Sequence, residues 1–409
     1  MGLRSAIARR AVRGAHVLVV EVPGWTSVRM EIERELARRG WPAATSPADS
    51  DVLLICGMPG AEFAEVCDRL WSQLPGPRAR VDIVFTGDAA SSLDRAAAHL
   101  LDERRQRDDA RSRLRLLSDD KPQHEHEHEH EHEHEHDQLA DAGGMDPSDH
   151  EEPAGENRDV TMNHESDAPS MDMDHPMDMN MDMDMEPGGI PLAEGGPDRD
   201  GLEMDVLHVP LGPVLPDWPA GLVVSCALQG DVIVSADVRV LQRMRGDEPL
   251  IHADVDSARS AILWRCDSAA RLLSLAGWGS AALGVRAIRD DLLAGAQGED
   301  VAQRLAQMSA RVRRSLLLRW SLKGIRTADG SSASVEVRSR LLAWLREAEE
   351  TARSGSTDHV RSSRDMQQAL LDAIPALVEG LDLGTVRLAV AGLGLDTARL
   401  VSVEEHHHG

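Results

Sequence analysis

Residues 119 to 205 cannot contribute to a hydrophobic core, and they lie between two segments that can. The stretch includes HEHEHEHEHEHEH, in which His124, His126, His128, His130, His132, His134 and His136 alternate strictly with Glu. It continues into MDMDHPMDMNMDMDM, where Met171, Met173, Met177, Met179, Met181, Met183 and Met185 alternate mainly with Asp around His175. It holds 29 Asp/Glu and 3 Lys/Arg, a net of −26, and the whole chain, with 70 against 44, also sums to −26. The remainder therefore carries 41 acidic and 41 basic residues. So much charge and so few apolar side chains predict a disordered linker, and the chain reads as residues 1–118, the linker 119–205, and residues 206–409.

Each flank is long enough to bury a core of its own. With no separate basic domain to neutralise phosphates, the composition argues against a nucleic-acid partner. No run of 18 apolar residues occurs, so no transmembrane helix is expected. The N-terminal HVLVVEV reads as a first strand and not as a secretory core. Cys56, Cys67, Cys226 and Cys266 are scattered without a CxxC, as expected of buried structural thiols in a reduced, cytoplasmic protein. The chain contains no Tyr, which removes tyrosine from any catalytic scheme.

In the N-terminal segment strand and helix alternate. The predicted order is a strand at 16–22, a helix from Ser27 to Arg39, a strand from Asp51 to Cys56 and a helix from Ala61 to Leu74. A strand from Val81 to Phe85 and one long charged helix to about Leu117 follow. Short connections between such elements call for a parallel α/β domain, doubly wound or three-layered. In the C-terminal segment two strands, Gly221 to Leu228 and Asp231 to Leu241, form a hairpin around Gln229-Gly230-Asp231. Helices are expected at 254–277, 279–295, 298–319, 333–353 and 364–379, giving an α+β domain with a small antiparallel hairpin and a helical bundle.

The repeats carry the clearest ligand chemistry. Neutral imidazole with carboxylate suits Ni, Zn and Cu(II), and soft thioethers select Cu(I), with His175 as a borderline ligand. A solvated linker that chelates only through its composition remains an alternative, as does a pH response from seven clustered imidazoles. The loop Gly57-Met58-Pro59-Gly60 lies where amides at a helix start could meet an anion. Glu62 and Glu65 oppose that, and a tight turn is the better account.

The segment DVLLICGMPGAEFAEVCDRLWSQLPGPRARVDI resembles the core of the iron–sulfur small subunit shared by complex I (NADH–quinone oxidoreductase) and NiFe hydrogenases. Gln73, Leu74, Pro75, Gly76 and Pro77 stand in the family's turn before the third strand. The resemblance implies a cluster held by cysteines just after the first strand, just after the third, and further on. Here the first two places read Val22-Pro23-Gly24-Trp25-Thr26 and Thr86-Gly87-Asp88, and Cys56 and Cys67 fall at neither, so no iron–sulfur cluster is expected.

HVPLGPVLPDWPAGLVVSCALQGDVIVSADVRV is similar to the opening hairpin of the quinone-binding large subunit of the same complexes. Gly212, Pro213, Pro216 and Gly221 match. Leu215 stands where the resemblance places a quinone-facing histidine, Trp218-Pro219-Ala220 replaces a second, and His208 fills neither place. No CxxC pair exists to ligate a NiFe centre. Asp217 and His252 are the remaining polar candidates near that loop, with no catalytic assignment.

The two resemblances together imply a fusion of subunit-like modules that lack their usual ligands. The expectation is a non-catalytic or assembly-related component that docks on membrane redox subunits, on the cytoplasmic side and not itself transmembrane. Two alternatives stand beside it. One is a soluble protein that stores or delivers Ni, Cu or Zn, and the other is an NADH/quinone oxidoreductase subunit with atypical site residues.

Overall fold

The computed structural model describes residues 3–119, 194–197, 203–244, 258–296, 298–328, 334–356, 363–401 and 403–404. The expected linker, except for its ends, and His252 lie outside the described residues.

The N-terminal segment runs α1 (Leu3–Val12), β1 (Val17–Glu21), α2 (Thr26–Arg39), β2 (Val52–Cys56), α3 (Ala61–Gln73), β3 (Ala79–Ile83), α4 (Ala89–Leu101) and α5 (Glu103–Asp119). Its three strands form a parallel sheet in the order β1-β2-β3, with Val17 opposite Val52 and Val52 opposite Ala79. All five residues of the central strand, VLLIC, are buried. A parallel strand covered on both faces has no polar side to show, and so reads as an unbroken apolar run.

The C-terminal segment holds β4 (Glu194–Pro197), β5 (Glu203–Leu211), β6 (Leu222–Gln229), β7 (Val232–Val240) and β8 (Arg243–Met244). The helices α6 (Ala258–Leu275), α7 (Gly279–Leu293), α8 (Glu299–Arg314) and α9 (Leu316–Ser321) follow. After them come β9 (Arg326–Ala328), β10 (Ser334–Glu336), α10 (Val337–Ser354), α11 (Arg364–Asp372), α12 (Ile374–Val378), α13 (Leu383–Leu393) and β11 (Val403–Glu404). The predicted hairpin is β6–β7, turning at Gly230 with φ +61°, and it belongs to a four-stranded antiparallel sheet ordered β4-β5-β6-β7.

Three apolar cores hold these elements. One fills the parallel sheet and its helices and also takes in Val223 and Leu241 from the C-terminal segment. A second lies among α6, α7, α8 and α10 around the fully buried Trp344. The third joins the inner face of the antiparallel sheet to α11, α12 and α13. The N- and C-terminal segments form one compact unit, and the shared first core is a physical reason for it.

Several predicted boundaries shift for identifiable reasons. The single charged helix to Leu117 is two helices, because the Asp102 carboxylate accepts hydrogen bonds from the amides of Arg104 and Arg105 at 3.0 and 3.2 Å. It thereby satisfies donors that a new helix leaves unpaired. The helix expected at 298–319 breaks at Ser315, whose hydroxyl caps α9 through the Leu318 amide. That at 364–379 breaks at Ala373, with Pro375 in the first turn of α12. The third strand ends at Ile83, not Phe85, since the Val84 carbonyl accepts a side-chain hydrogen bond instead of extending the ladder. Helices α1 and α13 and strand β5 have no counterpart among the predicted elements.

Candidate functional site

Where β1 ends and α2 begins, the chain presents Glu21, Arg29 and Glu33. On an α-helix Arg29 and Glu33 are i,i+4 neighbours, as are Asp267 and Arg271 on α6, while α7 contributes Arg286, Arg289 and Asp290. Taken singly, each pair has the appearance of a solvated charged face. The fold instead brings the three helices together, and their charges form one buried network.

Arg29 is the hub. Its guanidinium lies 2.8 Å from Glu21 and 2.6 Å from Asp267 and also pairs with Glu33. Arg289, almost wholly buried, reaches Glu33 at 2.7 Å, Asp267 at 2.8 Å and Asp290 at 2.9 Å. Arg271 bridges Glu21 at 2.7 Å and Asp267 at 3.0 Å, and donates to the Trp218 carbonyl at 2.9 Å. Asp217, held in the left-handed region at φ +58°, pairs with Arg286 at 2.9 Å.

The electrostatics follow from burial set against neighbouring charge. Burial alone would raise the Asp267 carboxyl, but Arg29, Arg271 and Arg289 hold it well below the usual carboxylate range. Glu33 is likewise pushed up by burial, and Arg29 and Arg289 outweigh this to bring it down to about 2. Asp290 is raised by burial, which its contact with Arg289 does not overcome. Around the hub, Arg29, Arg271 and Arg289 face Glu21, Glu33, Asp267 and Asp290.

This network forms one side of a cavity of about 540 Å³. Arg29, Glu33, Asp217, Arg286, Arg289 and Asp290 supply polar groups, and Leu36, Trp41, Val214, Leu215 and Leu283 supply apolar walls. A pocket of that size, mostly apolar with a few convergent polar groups, is suited to a ring-sized amphipathic molecule. Asp217 therefore belongs to a built site, in an ion pair, whereas His208 is exposed on β5.

A second arrangement sits where the parallel strands end. Trp25, fully buried, donates from its indole nitrogen to the Val84 carbonyl at 3.0 Å, and the Arg243 guanidinium lies 5.5 Å from its ring. Gly57, at φ +111°, passes so near that a Cβ there would lie 2.4 Å from the indole. Loops from all three strands thus close on one aromatic side chain. The Gly57 and Gly60 amides donate to the carbonyls of Ile83 and Gln242, at 2.8 and 3.2 Å, so those two amides are spent on backbone partners.

All four cysteines are buried and unpaired, as expected of structural thiols. Burial pushes the Cys67 and Cys266 thiols up to about 12 and raises those of Cys56 and Cys226. None is a thiolate near neutral pH. Among the described residues no group of three or more His, Cys, Asp or Glu is arranged to hold a metal ion. The histidines 124 to 136, His175 and methionines 171 to 185 lie outside the described residues.

Sequence reasoning missed the ion network because the pairs that tie β1 and α2 to α6 and α7, Arg29–Asp267, Arg271–Glu21 and Arg289–Glu33, join residues more than 200 positions apart. The only local signal was the set of opposite charges at i,i+4 on helices that also carry apolar residues. No helix of the described residues is long and apolar enough to cross a membrane. Comparison with protein-family models, with curated proteins and with solved structures finds no match.

Proposed function

We propose that this chain is a non-catalytic component, of the docking or assembly kind, of a complex I- or hydrogenase-like redox system, peripheral to the cytoplasmic face of the membrane. The observation that carries this reading is Trp25. Its buried indole fills the space among the loops after β1, β2 and β3, where the resemblance puts a thiolate-held cluster. Leu215 adds support, since an apolar side chain lines the cavity at the position the resemblance gives to a quinone-facing histidine. On this reading the chain has a fold and a cleft of that kind without the ligand residues.

The test is affinity purification of the tagged full chain from membranes of its source, with redox assays on the product. Membrane redox subunits are expected to co-purify with a chain that has no oxidoreductase activity alone. Absence of such partners, or iron–sulfur absorbance of the chain after anaerobic reconstitution, would overturn the reading.

The repeats support a second role, weak multi-site binding of Ni, Zn or Cu. Seven imidazoles alternate with carboxylates and seven thioethers alternate mainly with Asp, the donor sets for borderline and soft ions respectively. Metal analysis of the native protein beside a variant lacking residues 119–187 tests it. The variant is expected to lose bound metal and keep its docking partners.

A further inference from the structure

The short helix α9 exposes what a folded protein ordinarily covers. Leu318 and Leu322, at i and i+4, are 2% and 1% exposed and anchor it in the helical core. The opposite side carries Leu316, Leu317 and Trp320, which are 77%, 74% and 76% exposed. Since 316 and 317 stand four and three positions before 320, the three side chains are neighbours on one helix face. They form a projecting apolar patch.

Along the chain the flanking charge is of one sign. Between Asp300 and Asp329 the chain has seven basic residues and no acidic one. Arg313, Arg314, Arg319 and Lys323 are exposed, and among the described residues none of them has a carboxylate partner. Elsewhere arginines such as Arg29, Arg39 and Arg78 are tied into ion pairs. Unpaired cations beside protruding Leu and Trp complement an anionic, apolar-centred surface.

We infer that α9 and its flanking cations form a membrane-surface docking element, with Leu316, Leu317 and Trp320 entering the headgroup region of a bilayer containing anionic lipid. Trp and Leu suit the interface between headgroup and acyl chain, and Lys and Arg are drawn to negative surface potential. A protein partner fits less well. Three side chains projecting from a helix of six residues are a small part of the roughly 800 Å² that each side of a stable protein interface buries. The inference stands apart from the redox reading, because it uses none of the same residues.

The experiment is co-sedimentation of the full chain with phosphatidylcholine vesicles, with and without phosphatidylglycerol, at low salt and near 0.1 M. At the higher salt the Debye length is about 10 Å, so charge further from the patch is largely screened. Binding is expected only to vesicles containing phosphatidylglycerol, and it should weaken with salt. Replacing Arg313, Arg314, Arg319 and Lys323 by Gln should weaken it by about fivefold per cation. Leu317→Ser with Trp320→Ser should weaken it by at least about tenfold, and the exposure of both residues leaves circular dichroism unchanged. Absence of binding to anionic vesicles, or binding that neither variant alters, would overturn the inference. So would self-association or capture of an acidic protein that depends on Trp320 while vesicles are ignored.

Discussion

Arg29 and Asp267 are separated by 238 positions in the chain and meet at 2.6 Å, both buried, at the junction of the N- and C-terminal segments. The pair sits within a network that also satisfies Glu21, Glu33, Arg271 and Arg289. In such a setting the energetics are asymmetric. Removing one member strands the others without solvent, whereas removing matched members together does much less.

Asp267→Ala should accordingly destabilise the protein by about 3–5 kcal/mol, read as a shift of the urea midpoint. A double-mutant cycle with Arg29→Ala should show strong coupling, because the second change relieves part of the first. Additive effects would mean that the two residues do not act as a unit.

Acid should weaken the fold through the same network. The Glu33 carboxyl is held at about 2 against an ordinary 4.5, and that of Asp267 is also depressed. A depressed carboxyl contributes stability that is fully present above its unfolded value and is lost as pH falls through its folded one. Asp290, whose carboxyl is raised, acts in the opposite sense, one group against two. Denaturation midpoints should therefore fall between about pH 4.5 and pH 2, and Glu33→Gln should flatten that slope.

Trp25→Ala should empty the space where the three loops converge and cost about 3–5 kcal/mol. Gly57→Ala should be damaging as well, through a Cβ that meets the indole and a positive φ that L-residues rarely adopt. Thermal unfolding of the two variants and of the double variant checks this. Part of the Gly57→Ala penalty should disappear once the indole is gone.

Asp102→Ala should cost about 1 kcal/mol, the value of a helix N-cap. Calorimetry measures that loss. It also tests why α4 and α5 are separate helices although no Pro or Gly divides them.

Much of the fold was legible locally. VLLIC announces a doubly covered strand, and the Val28, Ile32, Leu36 spacing announces α2. Gln229-Gly230-Asp231 announces the β6–β7 turn. These features depend on side-chain period and turn chemistry, which neighbours in sequence determine. The break at Asp102 was less visible, because a side chain capping a helix start competes with continuation of the helix by a small margin.

By itself the sequence determined the parallel α/β core, the antiparallel hairpin, the burial of four unpaired cysteines and the concentration of charge between residues 119 and 205. Only tertiary structure decided that Arg29, Asp267 and Arg289 share one buried network, that Leu215 and Asp217 line a cavity beside it, and that Trp25 fills the end of the sheet. The reason is physical. Strand and helix periodicities are local, whereas a buried charge is tolerated only if distant residues supply its partners, and nothing in a helix's own spacing names a partner 238 positions away.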